Sequence, residues 1–194
     1  MTRGSVPSGA DGLPGVRIGR LDAHGDDRGS FREVWRASWY GELDPSLAGP
    51  DGRFVQANVS TSAPGVLRRL HLHRRQLDHW VVLDGRAFVA LVDVRPLLVG
   101  GSRPLVRTLE LERDGWLSIP VGVAHGFLAL EPLTLLYLVT GEYDDSDELG
   151  FAWDDPQAAV PWPAIETTPD RRPIVSGRDL TNPPLADLVA RLQG

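Results

Sequence analysis

Three histidines lie in two short segments, and their spacing suits acid–base or metal chemistry. His71 and His73 alternate at the end of the segment Gly65–His73, so in a strand their side chains point to the same side. His125 follows a Pro-x-Gly turn in the segment Ile119–Phe127. Imidazole titrates near neutrality and is also the commonest metal ligand. If the shared side faces the interior, these residues are functional candidates; otherwise they are hydrogen-bonded core or rim histidines.

Two further polar residues follow predicted strands or turns and carry little information alone. Tyr143 lies in the segment Gly141–Asp144, where a tyrosine usually packs its ring and keeps its hydroxyl in water. Asp179 closes the segment Ser176–Asp179, a position typical of a turn or cap aspartate. A chemical role for either residue therefore needs other evidence.

The composition is that of one globular domain. The chain has 194 residues, a formal net charge of −6 and 42% hydrophobic residues. The charge disfavours nucleic acids and anionic membranes as partners, and no segment approaches the roughly 18 apolar residues that span a bilayer. The absence of cysteine excludes thiolate nucleophiles and Cys-ligated zinc. We expect a cytoplasmic protein with a flexible leader over residues 1–15 and a single domain over residues 16–194.

Short strands punctuated by Gly and Pro dominate the pattern. They are predicted over Phe54–Ser60, Trp80–Leu83, Ala87–Val94, Leu105–Leu111, Trp116–Ile119, Phe127–Leu130 and Thr134–Thr140. Closely spaced strands without intervening helices predict an all-β barrel or sandwich. Gly85 between two apolar runs indicates a hairpin turn. Pro184–Leu192 is predicted as a C-terminal helix with one apolar face, and Ser38–Leu47 as a short helix or an irregular insert.

An ordered set of segments between Asp26 and Asp179 resembles the dTDP-4-dehydrorhamnose 3,5-epimerase family. The matching segments are Asp27-Arg28-Gly29-Ser30-Phe31-x-Glu33, Val55-Gln56-x-Asn58, Val66-Leu67-Arg68-x-Leu70-His71, Val92-Asp93-Val94-Arg95, Ile119-Pro120-x-Gly122-x-Ala124-His125-Gly126-Phe127, Tyr137 through Tyr143 to Glu148, Trp153-x-Asp155-Pro156, Trp162-Pro163 and Ser176-x-x-Asp179. Each segment is weakly specific, but their common order over most of the chain is strongly specific.

The resemblance implies a cupin-type jelly-roll barrel, usually a homodimer whose N-terminal segments exchange, and no cofactor. It implies an isomerase that epimerises a nucleoside-diphosphate 4-keto-6-deoxyhexose at C3 and/or C5. A base removes the proton next to the ketone to give an enolate, and reprotonation occurs on the opposite face. His71 falls on the catalytic base, Asp179 on its paired carboxylate and Tyr143 on the opposite proton donor. The positions that contact substrate are Arg28, Phe31, Glu33, Gln56, Asn58, Arg68 and His125.

Four positions depart from the family pattern. Arg69 replaces the glycine before the Leu-His pair, and His73 replaces a glutamine. Asp78 replaces a lysine that helps to hold the enolate oxygen, and Glu142 replaces an aromatic residue before the tyrosine. An ionised Asp78 repels an enolate, so the sequence leaves open whether C3, C5 or both carbons are inverted.

Two alternatives come from other functional classes. His71, His73, Asp78 and His125 have nearly the spacing of a metal-dependent cupin enzyme. The other alternative is a non-catalytic homologue that binds a sugar nucleotide. We expect no bound metal, with His71 paired to Asp179 and with Asp78 held by an arginine or a histidine.

Overall fold

Two antiparallel sheets build a jelly-roll barrel in the computed structural model, which describes residues 13–36, 52–165, 168 and 171–194. Across the first sheet the order is β1 (Arg17–Arg20), β9 (Gly115–Ile119), β6 (Asp78–Asp84), β11 (Leu133–Val139) and β4 (Gln56–Ser62). Across the second it is β12 (Leu149–Phe151), β5 (Leu67–Leu72), β10 (Val123–Ala129), β7 (Arg86–Asp93) and β8 (Leu105–Glu112). A separate hairpin pairs β2 (Ala23–Asp26) with β3 (Gly29–Arg32).

Helices are short and peripheral in the described part of the chain. They are α1 (Arg95–Leu98), α2 (Gly177–Leu180) and α3 (Leu185–Gln193). None of the described helices is long and apolar enough to cross a membrane. The expected all-β jelly-roll barrel with a short C-terminal helix is confirmed, with α3 beginning one residue after the predicted start. The predicted insert at residues 38–47 and residues 1–12 of the expected leader lie outside the described residues, whereas Leu13 is buried in the core.

The strand predictions succeed where apolar residues are dense. All seven predicted strands are present, as β4 and β6 to β11. The sequence did not predict β1, β2, β3 or β12, which have four residues or fewer and no clear alternation. Such short strands form because an adjacent strand supplies their hydrogen bonds, which a local pattern does not reveal.

Alternation along β5 orients the first histidine. Leu70 and Leu72 are buried against Leu185 and Leu188 of α3, on the outer face of the second sheet. His71 lies between the two leucines and therefore points to the opposite face, into the barrel. The apolar contact with α3 thus fixes the direction of a potential catalytic side chain.

A bulge in β5 lies beside this histidine. His125 of β10 pairs with His71, but Phe127 pairs with Arg68, so β5 contains one extra residue between the two pairs. The bulged backbone comes so close to Gly126 that a Cβ atom there would lie 2.5 Å from the carbonyl oxygen of Arg69. Only glycine fits at this position, directly after His125.

The turn at Gly85 provides a direct test of the fold. Gly85 has φ +85°, and an added Cβ atom would lie 2.0 Å from the carbonyl oxygen of Pro132. Gly100 has φ +86° but no neighbouring atom within 4 Å of the added Cβ. We expect Gly100→Ala to lower the free energy of unfolding by about 1 kcal/mol, the cost of the backbone conformation alone.

Gly85→Ala should cost at least about 2 kcal/mol, because a steric clash adds to the same backbone strain. Urea unfolding of the two variants and the wild type gives both values. Equal losses in the two variants would contradict the close packing of the β6–β7 turn against Pro132.

Candidate active site

A cavity of about 810 Å³ opens between the two sheets. Its floor is apolar and includes Trp80, Phe127 and Leu135, which belong to the core between the sheets. Its walls carry polar side chains from β4, β5 and β11 and from the segment around α2. The volume is ample for a small polar metabolite, and most of the residues singled out from the sequence lie around it.

The three histidines converge at the bottom of this cavity, as the sequence predicted. The ring centroids of His71 and His125 are 4.3 Å apart, and those of His71 and His73 are 5.4 Å apart. His71 and His73 line the cavity. His125 lies beneath them and is only 2% exposed, so it forms part of the floor and is poorly placed to contact a large ligand directly.

Each of the three imidazoles has its Nδ1 atom at a backbone carbonyl. The partners are Arg69 O at 3.3 Å for His71, Asp147 O at 3.1 Å for His73 and Val123 O at 2.9 Å for His125. A carbonyl oxygen only accepts, so Nδ1 carries the hydrogen and donates it. In the neutral form the lone pair of each ring is therefore on Nε2.

Asp78 lies among these rings and is buried. One of its carboxylate oxygens is 3.4 Å from Nε2 of His125, and the other is 3.9 Å from Nε2 of His73. The carboxylate also accepts hydrogen bonds from Gln76 Nε2 at 2.8 Å and Trp80 Nε1 at 3.3 Å. Of the arginine or histidine expected beside Asp78, the structure places His125 there, while the hydrogen bonds to the carboxylate come from Gln76 and Trp80.

The environment shifts the protonation of both partners. Burial alone raises the pKa of Asp78, but the adjacent His125, together with His73 and His71, outweighs burial and holds the pKa below its usual range. Burial lowers the pKa of His71 well below its ordinary value, and His125 and His73 lower it further. An ionised Asp78 beside a neutral His71 is the resulting state near neutral pH.

Asp179 reaches the cavity wall but has a different partner from the one expected. One of its carboxylate oxygens is 3.8 Å from Nε of Arg69, and Arg69 also pairs with Glu148. The sequence suggested a direct pair between Asp179 and His71. In the structure the Asp179 carboxylate faces the Arg69 guanidinium instead. This pairing has a local cause, because a long cationic side chain projects from the bulge of β5 and reaches the carboxylate.

The other arginines near the histidines have partners as well. Arg74 and Arg75 pair with Asp147, and Arg75 also pairs with Asp144. Arg68 instead donates to Ser62 Oγ and to the carbonyl oxygen of Thr61, at 3.2 and 3.1 Å. Within the described part of the chain, Arg68 has no carboxylate partner and lines the cavity with an uncompensated positive charge.

A chain of polar contacts fixes Tyr143 at the cavity mouth. Gln56 Nε2 donates to Asn58 Oδ1 at 2.9 Å, and Gln56 Oε1 accepts from the backbone N–H of Tyr143 at 3.0 Å. The Tyr143 side chain is hydrogen-bonded to Arg178, which pairs with Glu148. Three predicted site residues, Gln56, Asn58 and Tyr143, are therefore joined in one network.

Three predicted substrate contacts lie away from these residues within the single chain. Arg28 pairs with Asp26 in the β2–β3 hairpin, and Glu33 pairs with Arg36. Phe31 is 70% exposed on the same hairpin. None of the three is among the residues that line the described cavity.

Several cavity residues were assigned no role from the sequence. Gln76 and Trp80 orient Asp78, Glu148 links two arginines, and Tyr137 projects from β11 with a pKa that burial raises. Tyr137 lies between Leu136 and Leu138, and a tyrosine in an otherwise apolar strand is the one signal that could have marked it. The others needed the three-dimensional arrangement.

Comparisons with known proteins agree on one family. The family model described as dTDP-4-dehydrorhamnose 3,5-epimerase matches residues 11–187. The chain is 36% identical over 154 residues to the spore coat polysaccharide biosynthesis protein SpsL of Bacillus subtilis, covering 77% of this chain and 96% of that protein. It is 32% identical over 183 residues to dTDP-4-dehydrorhamnose 3,5-epimerase of Sinorhizobium fredii, covering 92% and 89%.

A solved structure extends this similarity to the fold. The epimerase RmlC from Legionella pneumophila, in complex with dTDP-4-keto-L-rhamnose, has a TM-score of 0.74 and 31% identity. The alignment covers 91% of this chain and 93% of that chain. Sequence and structure therefore point to the same relatives.

The protonation of His71 can be measured directly. We expect its imidazole to titrate below the ordinary value of about 6.5, because burial and the neighbouring imidazoles disfavour its charged form. The unfolded chain then binds the proton more tightly, so His71 lowers the free energy of unfolding as pH falls below about 6.5. Asp78→Asn should lower the pKa further, since Asp78 is a charge that raises it.

An NMR titration of the imidazole signals tests both statements, with the His71 signal assigned by its loss in His71→Gln. Asp84→Asn is the matched control, because it removes an exposed carboxylate from the other end of β6. A His71 pKa above 6.5, or an upward shift in Asp78→Asn, would contradict this picture.

Proposed function

Because the chain belongs to the dTDP-4-dehydrorhamnose 3,5-epimerase family, we propose that it epimerises a dTDP-linked 4-keto-6-deoxy sugar. The observation that carries the proposal is the position of His71, which lines the cavity with its Nδ1 atom at a backbone carbonyl, so that in the neutral ring, the form that burial favours, the Nε2 lone pair is available. Such a group is a general base that works at neutral pH. The reaction is an isomerisation, and the carbons inverted are C3, C5 or both.

Proton abstraction is the first step of the proposed reaction. His71 takes the proton from a carbon next to the ketone, and the electron pair of the broken C–H bond moves into the enolate. Asp78 is ionised and buried below the histidines, so it favours the protonated His71 that forms. Asp179 is a positioning residue in this scheme, because its contact with Arg69 holds the backbone segment whose carbonyl fixes the His71 ring.

Reprotonation requires a donor on the other side of the sugar ring, and we assign it to Tyr143. His71 projects from the second sheet, whereas Tyr143 follows β11 of the first sheet, so the two approach the cavity from different walls. The contacts of Tyr143 with Gln56 and Arg178 hold it at the mouth. Opposed placement of base and donor is the geometric requirement for inversion.

Arg68 is the residue that we propose for the diphosphate. Its guanidinium lines the cavity without a carboxylate partner in the described chain, and arginine binds phosphate oxygens with paired, charge-assisted hydrogen bonds. Gln56 and Asn58 are placed on β4 along the same wall. His125 supports the base from the floor and is assigned no direct substrate contact.

We also propose a homodimer in which Arg28, Phe31 and Glu33 complete the neighbouring site. Phe31 is 70% exposed on a hairpin outside both sheets, a costly position for an aromatic side chain unless a partner covers it. The strand β4 is an edge of the first sheet, and Val59 on it is 60% exposed. An unpaired edge with apolar side chains is a ready surface for a second copy. Cytoplasmic location stays a prediction, which cell fractionation tests.

Isotope exchange separates the two proposed catalytic roles. In deuterated water, His71→Ala should lose at least about a hundredfold in both deuterium uptake and inversion, because it lacks the base. Tyr143→Phe should still take up deuterium at the ring carbon but fail to invert it, because abstraction and reprotonation occur on opposite faces. Proton NMR of dTDP-linked 4-keto-6-deoxyhexoses reports both quantities.

Asp84→Asn is the control, since Asp84 is exposed at the end of β6, is not among the residues that line the cavity and should leave both rates unchanged. Inversion at the wild-type rate by His71→Ala would exclude His71 as the base. Equal loss of exchange and inversion in Tyr143→Phe would exclude the assigned division of roles.

The assembly is tested by light scattering. The wild type should have the mass of a dimer at micromolar concentration, and Val59→Lys should shift it toward the monomer by placing a charge on the exposed edge. Val99→Lys is the matched control, because Val99 is 85% exposed at the end of α1, away from β4. A monomeric wild type, or equal effects of the two substitutions, would contradict the proposed interface.

A further inference from the structure

We infer that His71, His73, Asp78 and His125 form a binding site for a divalent transition-metal ion, and that the bound ion blocks the proposed proton transfer. Each residue offers one ligand atom, and these four atoms all lie within 4.8 Å of one another. Metal binding goes beyond the proposed function, which uses only the metal-free site. The block of proton transfer rests on that function.

The tautomers favour an ion at this point. All three Nδ1 atoms face backbone carbonyls, so in the neutral rings the three Nε2 lone pairs are directed to the side where the Asp78 carboxylate lies. None of these four ligand groups supplies a hydrogen to the others in that state. His125 is 2% exposed, and its Nε2 atom has no hydrogen-bond partner in the described chain. A cation compensates for such a cluster of lone pairs.

The distances fit with small side-chain adjustments. Ligand bonds of about 2.0–2.2 Å place neighbouring ligand atoms about 3.3–3.6 Å apart around a tetrahedral ion. The observed separations are 3.4 Å from His125 Nε2 to Asp78 and 3.9 Å from His73 Nε2 to Asp78. The other ligand atoms lie at most 4.8 Å apart, so His73 and His71 must rotate toward the Asp78 carboxylate to reach one ion.

The outer contacts are those that metal ligands need. The carbonyl partners fix the orientation of each ring, and Gln76 and Trp80 donate to the Asp78 carboxylate and fix its orientation. Three imidazoles and one carboxylate suit zinc, cobalt, nickel or ferrous iron, whereas magnesium and calcium prefer sites made of oxygen ligands.

The neighbouring arginines do not oppose a cation strongly. Arg69 pairs with Glu148 and Asp179, and Arg74 and Arg75 pair with Asp147. Arg68 donates to Ser62 and Thr61. The four ligand groups include one carboxylate, so a divalent ion is attracted to the cluster.

The chemical consequence follows from the His71 lone pair. Coordination uses the same Nε2 lone pair that accepts the sugar proton, so a metal-bound His71 cannot act as a base. Metal occupancy and epimerisation are therefore mutually exclusive at this site. The metal-free protein is the active form and the metal-loaded protein the inactive one.

Binding is tested first with cobalt or zinc ions alone. Untagged, chelator-treated protein is titrated with Co²⁺ in a calorimeter and by visible absorption, which reports the coordination of cobalt. We expect one ion per chain in the wild type and in the control His24→Gln. Affinity should fall at least about tenfold in His73→Gln and in the isosteric Asp78→Asn.

Circular dichroism confirms that each variant is folded. If Asp78→Asn does not fold, His73→Gln still tests the metal site. Wild-type protein that binds no ion, or binding that neither ligand variant weakens, would overturn the metal site. An equal loss of metal affinity in His24→Gln would also overturn the metal site.

The effect on the reaction is tested separately. Metal-loaded protein should lose deuterium exchange into the sugar at least tenfold, and a chelator should restore it. Unchanged exchange by loaded protein would show that His71 is not a ligand and would overturn the four-residue site. If metal-free protein catalyses no exchange on any candidate sugar, the proposed function fails, while the binding result stands independently.

Discussion

A buried negative charge must be satisfied from every side, and Asp78 imposes this constraint on the whole barrel. Asp78 is the first residue of β6 in the first sheet. The imidazoles near its carboxylate belong to β10 and to the end of β5 in the second sheet. The two sheets are therefore joined by a polar cluster at one end and by an apolar core at the other. Both the depth of the cavity and the inward direction of the histidines depend on this division.

The same constraint applies to the other charges around the cavity. Among the described arginines beside the cavity, one has no carboxylate partner. Around the histidines, Arg69, Arg74, Arg75 and Arg178 are each paired with a carboxylate. Arg68 alone among these cavity-side arginines has only neutral partners. The arrangement limits the field at the base, which stays neutral, and leaves positive charge where an anionic group can bind it. Pairing of charges, more than their number, determines what the pocket can bind.

The sequence predicted the fold and most of the cavity residues because these follow local rules. Alternation in β5 oriented His71, the Gly85 turn joined β6 to β7, and ordered motifs placed Gln56, Asn58 and Tyr143 on one wall. The partner of Asp179 could not be predicted, because the preference of a carboxylate for Arg69 over His71 depends on a bulge that only the β5–β10 register reveals. Arg28, Phe31 and Glu33 lie on or beside the β2–β3 hairpin, away from the cavity of their own chain, and their substrate contacts stay a prediction.

The segment around α2 differs from the rest of the cavity wall in what holds it. Ile174 is fixed by backbone hydrogen bonds to Gly65 and Leu67, and α3 is anchored by buried leucines, but α2 between them contains no buried residue. Ion pairs to Arg69 and Glu148 attach this turn to the barrel. A segment held by charge and not by packing opens at low free-energy cost while the core stays folded. The α2 turn is therefore the part of the cavity wall whose displacement breaks ion pairs but exposes no buried residue of its own.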